Sequence, residues 1–191
     1  MLLPTAFIGI VIISALIFTY FNRITEQRTD AANQTDLFIQ QVLKGRISVY
    51  QFLRSPDEAK AKIVKDDFEL LNKYVLELKP ILVVQENINL CDSIVNESKN
   101  YIKTFDELAQ KRIPEYKNGI EKESPEILTV IKQISEIGLK LEKQLQQINT
   151  SATESKKDAV NTMDIVLIAI AIVAIIFFLG FSLLLSNQLI A

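Results

Sequence analysis

The sequence of 191 residues predicts an all-α protein, an antiparallel four-helix bundle flanked by two transmembrane helices. Three observations predict it. Two long uncharged runs lie near the ends, every charged residue lies between them, and there the apolar residues recur in alternating steps of four and three. That spacing is the seam of a helix packed against neighbours at a shallow angle.

The first run, residues 2–21, reads LLPTAFIGIVIISALIFTYF, and the second, residues 165–185, reads IVLIAIAIVAIIFFLGFSLLL. At about 1.5 Å per helical residue, each matches a hydrocarbon core roughly 30 Å thick. A backbone in lipid must satisfy its own hydrogen bonds, so both runs are expected to be helical despite their β-branched content. The alternative for the first run is a cleaved signal peptide. Those have shorter apolar stretches ending at small residues, whereas here Tyr20, Phe21, Asn22 and Arg23 lead straight into helix-forming sequence. The expected organisation is an uncleaved signal anchor over residues 1–22, a bundle over 23–164, a second span over 165–186 and the start of a linker over 187–191. No Lys or Arg precedes the first span or follows the second, so local charge does not orient the pair by the positive-inside rule.

Four stripes occupy the interval. The first holds Phe38, Val42, Gly45, Val49 and Phe52, and the second Val64, Phe68, Leu71, Val75, Leu78 and Leu82. The third runs Ile88, Cys91, Val95, Ser98, Ile102, Phe105, Ala109. The fourth begins at Ile127 and continues through Ile134, Gly138, Leu141, Leu145, Ile148, Ala152 and Ala159 to Thr162. Four such stripes joined by short breaks predict a bundle. The breaks are chemically specific. Ser55-Pro56-Asp57-Glu58 and Ser124-Pro125-Glu126 each read as a Ser N-cap followed by Pro at the first helical position, with Glu58 at the capping-box position of the former. Pro80 is expected to end or kink the second helix, Pro114 to end the third, and Asn118-Gly119 to turn the chain into the fourth. From Ile127 to Leu185 there is no proline, and the two glycines, Gly138 and Gly180, lie away from residue 164, so the fourth helix is expected to run unbroken into the second span. Gly45, Gly138, Ala152 and Ala159 are small residues expected to leave room for a second copy.

Composition narrows the function. The chain has no His and one Cys, Cys91, so the commonest proton-transfer side chain and metal ligand is missing and no internal disulfide can form. No nucleophile with a nearby base, phosphate-cradling glycine loop or metal-ligand cluster is recognisable. No catalytic residue, metal site or cofactor is assigned, and an enzyme is the least favoured reading. A net charge of −2 with mixed signs argues against a nucleic-acid partner.

The anchor, the LRSPDEAK turn, the ESPEIL helix start and the terminal LLLSNQLIA together resemble the sensor module of methyl-accepting chemotaxis proteins of the four-helix-bundle type, with LLLSNQLIA similar to a second span entering a HAMP linker. The resemblance implies a receptor module that detects an extracytoplasmic stimulus and transmits it through the fourth helix to a cytoplasmic output. It implies a two-pass protein of the bacterial cytoplasmic (inner) membrane, a homodimer embedded in the lipid bilayer, and a small-molecule ligand or periplasmic binding protein as stimulus. On this reading the sequence is a fragment of a longer receptor. Sensor histidine kinases and cyclic-nucleotide signalling proteins carry similar front ends, and a ligand-free structural spacer is the alternative from a different class. In the family, arginines of the first helix grip ligand carboxylates. This sequence does not match that arginine pattern residue by residue. The candidates are Arg46, flanking the seam beside Gly45 and Val49 where it could line a dimer groove, and Arg54, near the turn, with solvated charges lying over the stripe as the competing reading.

Overall fold

The computed structural model describes the backbone of residues 2–190 and the side chains of residues 8–182. All elements are helical, with no strand among the described residues: α1 (Leu2–Arg54), α2 (Glu58–Leu78), a 3-10 turn (Lys79–Ile81), α3 (Gln85–Lys117) and α4 (Pro125–Ile190). It divides into two units, one of Thr29–Thr153 and one of the paired segments Met1–Arg28 and Glu154–Ala191. Residues 187–191, expected to open a HAMP-like linker, lie outside the residues whose side chains are described.

The heptad stripes become the core of the Thr29–Thr153 unit. Phe38, Val42, Val49 and Phe52 of α1, Val64 to Leu78 of the α2 stripe, Cys91, Val95 and Phe105 of α3, and Ile134, Leu141, Leu145 and Ile148 of α4 are all buried in one cluster. Ile88, Ile102 and Ile131 pack partly buried against it. Helix α3 buries more than its predicted stripe, because Ile94, Tyr101, Leu108 and Arg112 are also enclosed. One part of the core is aromatic, with Phe52 edge-on to Phe105 at 5.1 Å between ring centroids and Phe68 stacked on Tyr101 at 3.8 Å.

Two helix boundaries differ from expectation. The N-cap of α2 is Asp57, not Ser55: its backbone is extended and its carboxylate accepts from the Lys60 N–H at 2.7 Å. A carboxylate also complements the positive end of the helix dipole, which a hydroxyl does not. Glu58 is then the first helical residue, and it pairs with Lys117 at 2.7 Å instead of closing a capping box. Hydrogen bonds from Lys60 hold the Asp57 carboxyl below the usual carboxylate range, so this cap contributes above that range and is lost as pH falls through the lowered value. The second departure is Pro114, which lies inside α3. Only the Gln110 carbonyl loses its partner there, and Gln110 is exposed to water. The other breaks follow the sequence. Pro80 sits in the 3-10 turn that ends α2, and Ser124 Oγ accepts from the Ile127 N–H at 3.4 Å to start α4 at Pro125.

At the end of α3, Gly119 has φ +76°, Gly119 N–H donates to Tyr116 O and Ile120 N–H donates to Glu115 O, both at 3.0 Å. This is the paired-bond glycine stop of a Schellman motif. A Cβ on Gly119 would meet no atom within 4 Å, so its substitution isolates the backbone effect. Gly119→Ala is expected to destabilise the unit by about 1–2 kcal/mol, and Gly119→Asn by less, because asparagine tolerates the left-handed region. Urea denaturation of the two variants measures both.

In the other unit many of the described apolar side chains face outward: Leu16, Tyr20, Ile165, Val173 and Ile176 are each more than 60% exposed. Both helices are long and apolar enough to cross a membrane, with mean window hydropathies of 1.7 and 3.1. Two hydroxyls of the first run are satisfied within the helix, Ser14 Oγ donating to Ile10 O and Thr19 Oγ1 to Ala15 O, both at 2.8 Å. Beyond that run Arg28 donates from Nη1 to the Ser155 carbonyl, tying the two segments together.

Candidate functional site

Arg46 and Arg54, the two arginines proposed from sequence, have different surroundings. Arg54 is the last residue of α1 and is exposed. Arg46 is drawn into the structure. Its Nη1 lies 2.8 Å from Glu142 Oε2 of α4, with the two side chains 23% and 31% exposed. Its aliphatic stem lies along Gly138, where an added Cβ would stand 3.3 Å from Arg46 Cδ and 3.4 Å from the Tyr101 ring. A pocket of about 30 Å³ lies beside it, lined among others by Arg46, Tyr50, Tyr101 and Ser135. That volume matches about one water molecule. In this arrangement the Arg46 charge is answered by Glu142, so a ligand carboxylate would have to displace that partner.

The more open concavities lie on the flanks of α2. Between α1 and α2 a cleft of about 770 Å³ has Phe38 and Tyr74, stacked at 5.5 Å, at its base, with Gln34, Gln41, Lys44 and Glu77 around them. Its wall is organised by Asp67, which is 5% exposed. Asp67 Oδ1 accepts from Lys44 Nζ at 2.7 Å and from Gln41 Nε2 at 3.2 Å, and Oδ2 accepts from Ser48 Oγ at 2.8 Å. Sequence reasoning missed this knot. The available signal was an Asp immediately before stripe residue Phe68, a position too close to the seam to be wholly solvated. Between α2 and α3 a second groove of about 810 Å³ has Ala61, Ala109 and Ile102 in its lining and charges of both signs, with Lys65 paired to Asp106 at 3.1 Å. The lone thiol, Cys91, is buried and its pKa is pushed up to about 11 by that burial, which suppresses the thiolate needed for nucleophilic chemistry.

The small residues expected to receive a partner are used within the chain. Gly45 faces the Phe68 ring and Gly138 faces Arg46 and Tyr101, while Ala152 and Ala159 are 5% and 4% exposed. A different α1 surface is left open, where Leu43, Ile47 and Tyr50 are 40%, 56% and 64% exposed. No protein family, curated protein or solved structure gives a significant match to this chain.

Proposed function

We propose that the chain is the sensory portion of a bacterial transmembrane receptor of the methyl-accepting chemotaxis type, in which an antiparallel four-helix bundle outside the cytoplasm is held by two membrane spans. The observation that carries the proposal is the construction of α1 and α4. Each is one helix joining a buried heptad stripe to an outward-facing apolar run of spanning length. A helix of that kind connects a packed domain to lipid. The paired residues support the antiparallel arrangement. Along α3 and α4, Asn87 meets Ser151, Ser93 meets Gln144, Glu97 meets Lys140 and Lys111 meets Glu126, one number rising as the other falls. Between α1 and α4 the same order holds for Ala32 with Asn149 and Arg46 with Glu142. The exposed Leu43, Ile47 and Tyr50 face of α1 is the surface proposed for homodimerisation, since apolar side chains at steps of four and three suit a helix seam.

The test is a chimera in which residues 1–191 precede the cytoplasmic half of a chemotaxis receptor, expressed in cells that lack their own receptors. Amino acids, sugars and organic acids are then screened for a change in kinase output. A dose-dependent change with at least one of them is expected. A chimera that inserts, dimerises and sets a fixed output indifferent to every compound would favour the structural spacer instead. With a responding chimera, inserting Gly-Gly after Lys157 is expected to abolish the response while leaving bundle stability unchanged, because the insertion breaks the register of α4. A normal response after insertion would exclude transmission through a continuous helix.

A further inference from the structure

The two ends of the Thr29–Thr153 unit are built to different standards. At the end holding the α1–α2 and α3–α4 connections, every turn is fastened. Asp57 caps α2, Ser124 caps α4, Gly119 closes the Schellman motif, and Arg112 donates to the carbonyls of Ile120 and Glu121 at 2.8 and 2.7 Å. The core above those turns is aromatic, with Phe52, Phe68, Tyr101 and Phe105 each no more than 1% exposed.

The opposite end is fastened more lightly, by an exposed ion pair of Lys79 with Asp92 at 2.6 Å and the Leu82 N–H donating to the Lys79 carbonyl at 3.4 Å. Its single connection runs from Leu78 through the 3-10 turn to Val84, which occupies the N-cap of α3 with no side-chain hydrogen bond. Valine is among the poorest N-caps, although its φ of −85° and ψ of 121° suit a capping residue. The neighbouring core holds no aromatic ring; it mixes the buried aliphatic side chains of Leu78, Leu82, Leu145 and Ile148 with small and polar residues. Ala31 and Ala152 occupy its layers, Thr35 turns its hydroxyl back to the Ala31 carbonyl at 2.7 Å, and Asn87 bonds Ser151 at 3.0 Å. Asn149 reaches the Ala32 carbonyl at 3.0 Å, and Gln144 bonds Ser93 at 2.7 Å. Polar groups whose bonds can be exchanged for water lose little on opening, whereas large apolar side chains lose their full burial.

We propose that this unit opens from one end: residues 29–37, 78–93 and 144–153 form a labile section that unfolds locally while the aromatic section stays closed. The labile section borders in sequence the two segments that leave for the other unit, so local opening would occur where α1 and α4 pass between units. The inference rests on packing and capping alone and stands apart from the receptor reading.

Hydrogen exchange measured by mass spectrometry on the full chain in detergent micelles tests it. Amides of the labile section are expected to exchange at least about tenfold faster than those of residues 45–52, 101–109 and 130–141. Protection equal to within about threefold, or exchange of both sections in one cooperative step, would overturn the proposal. Val84→Ser supplies the missing cap and is expected to slow exchange in residues 78–93 by about fivefold, with no change in the aromatic section. Val84→Ala controls for loss of the valine side chain and is not expected to slow it. Equal behaviour of the two variants would count against the uncapped start of α3 as a cause of opening.

Discussion

Arg112→Ala is expected to destabilise the Thr29–Thr153 unit by about 3–5 kcal/mol, as removing one partner from a buried charged network does. The side chain is 2% exposed, yet it carries a permanent charge. Its two terminal nitrogens are committed to the Ile120 and Glu121 carbonyls, Glu115 and Glu123 lie 3.6 and 4.0 Å away, and the Tyr116 ring stands 5.8 Å from the guanidinium carbon. Truncation therefore strands two loop carbonyls, leaves two carboxylates without their cation and opens a cavity beneath the turn. Lysine is expected to recover only part of the loss, because one ammonium cannot reproduce a planar fork reaching two adjacent carbonyls. Urea denaturation gives the stability change, and limited proteolysis between Asn118 and Ser124 reads release of the loop separately. A loss below about 1 kcal/mol with an uncut loop would show that the Schellman motif alone holds this turn.

Much of this fold was legible because it obeys one periodicity. The 4-3 steps located the α1 and α2 seams, since a helix that packs along one stripe writes that stripe into its sequence. They read α3 less completely, for Ile94, Tyr101 and Leu108 lie on flanks beside the predicted seam and a single stripe counts them as outside. Arg112 was illegible for another reason. Arginine at a flanking position ordinarily means solvent, and only the fold of the following loop supplies the two carbonyls that make its burial tolerable. Pro114 was over-read as a stop, because a proline in the last turn of a helix loses a single bond whose acceptor can be hydrated. Asp57 was under-read, since Ser-Pro-Asp offers two caps and sequence alone does not rank them. Arg46 lies beside the seam, and its partner Glu142 is 96 residues away, beyond any local pattern.

The same distinction between stripe and contact governs Gly45. Phe68→Ala is expected to destabilise the unit by about 3–5 kcal/mol, since it removes a ring 1% exposed from the middle of the aromatic section. One side of that ring stacks on Tyr101, at an interplanar angle of 24°, and an edge of it closes on Gly45, where an added Cβ would come within 2.5 Å of Phe68 Cε2 and 2.9 Å of Cζ. Gly45→Ala in the native background sets two effects against each other. Alanine favours the helix by about 1 kcal/mol, while overpacking a filled core costs about 1–3 kcal/mol. With the ring held on its other side by Tyr101, overpacking is expected to win and the variant to be less stable than the native protein. In the Phe68→Ala background the clash is gone, the helix preference remains and the new methyl fills part of the cavity, so Gly45→Ala should become stabilising. The expected signature is a reversal of sign, with a coupling within the 0.5–3 kcal/mol range typical of residues in contact. Chemical denaturation of the four proteins in the cycle measures it. The same sign in both backgrounds would mean that the ring moves aside freely and that Gly45 is not what seats it.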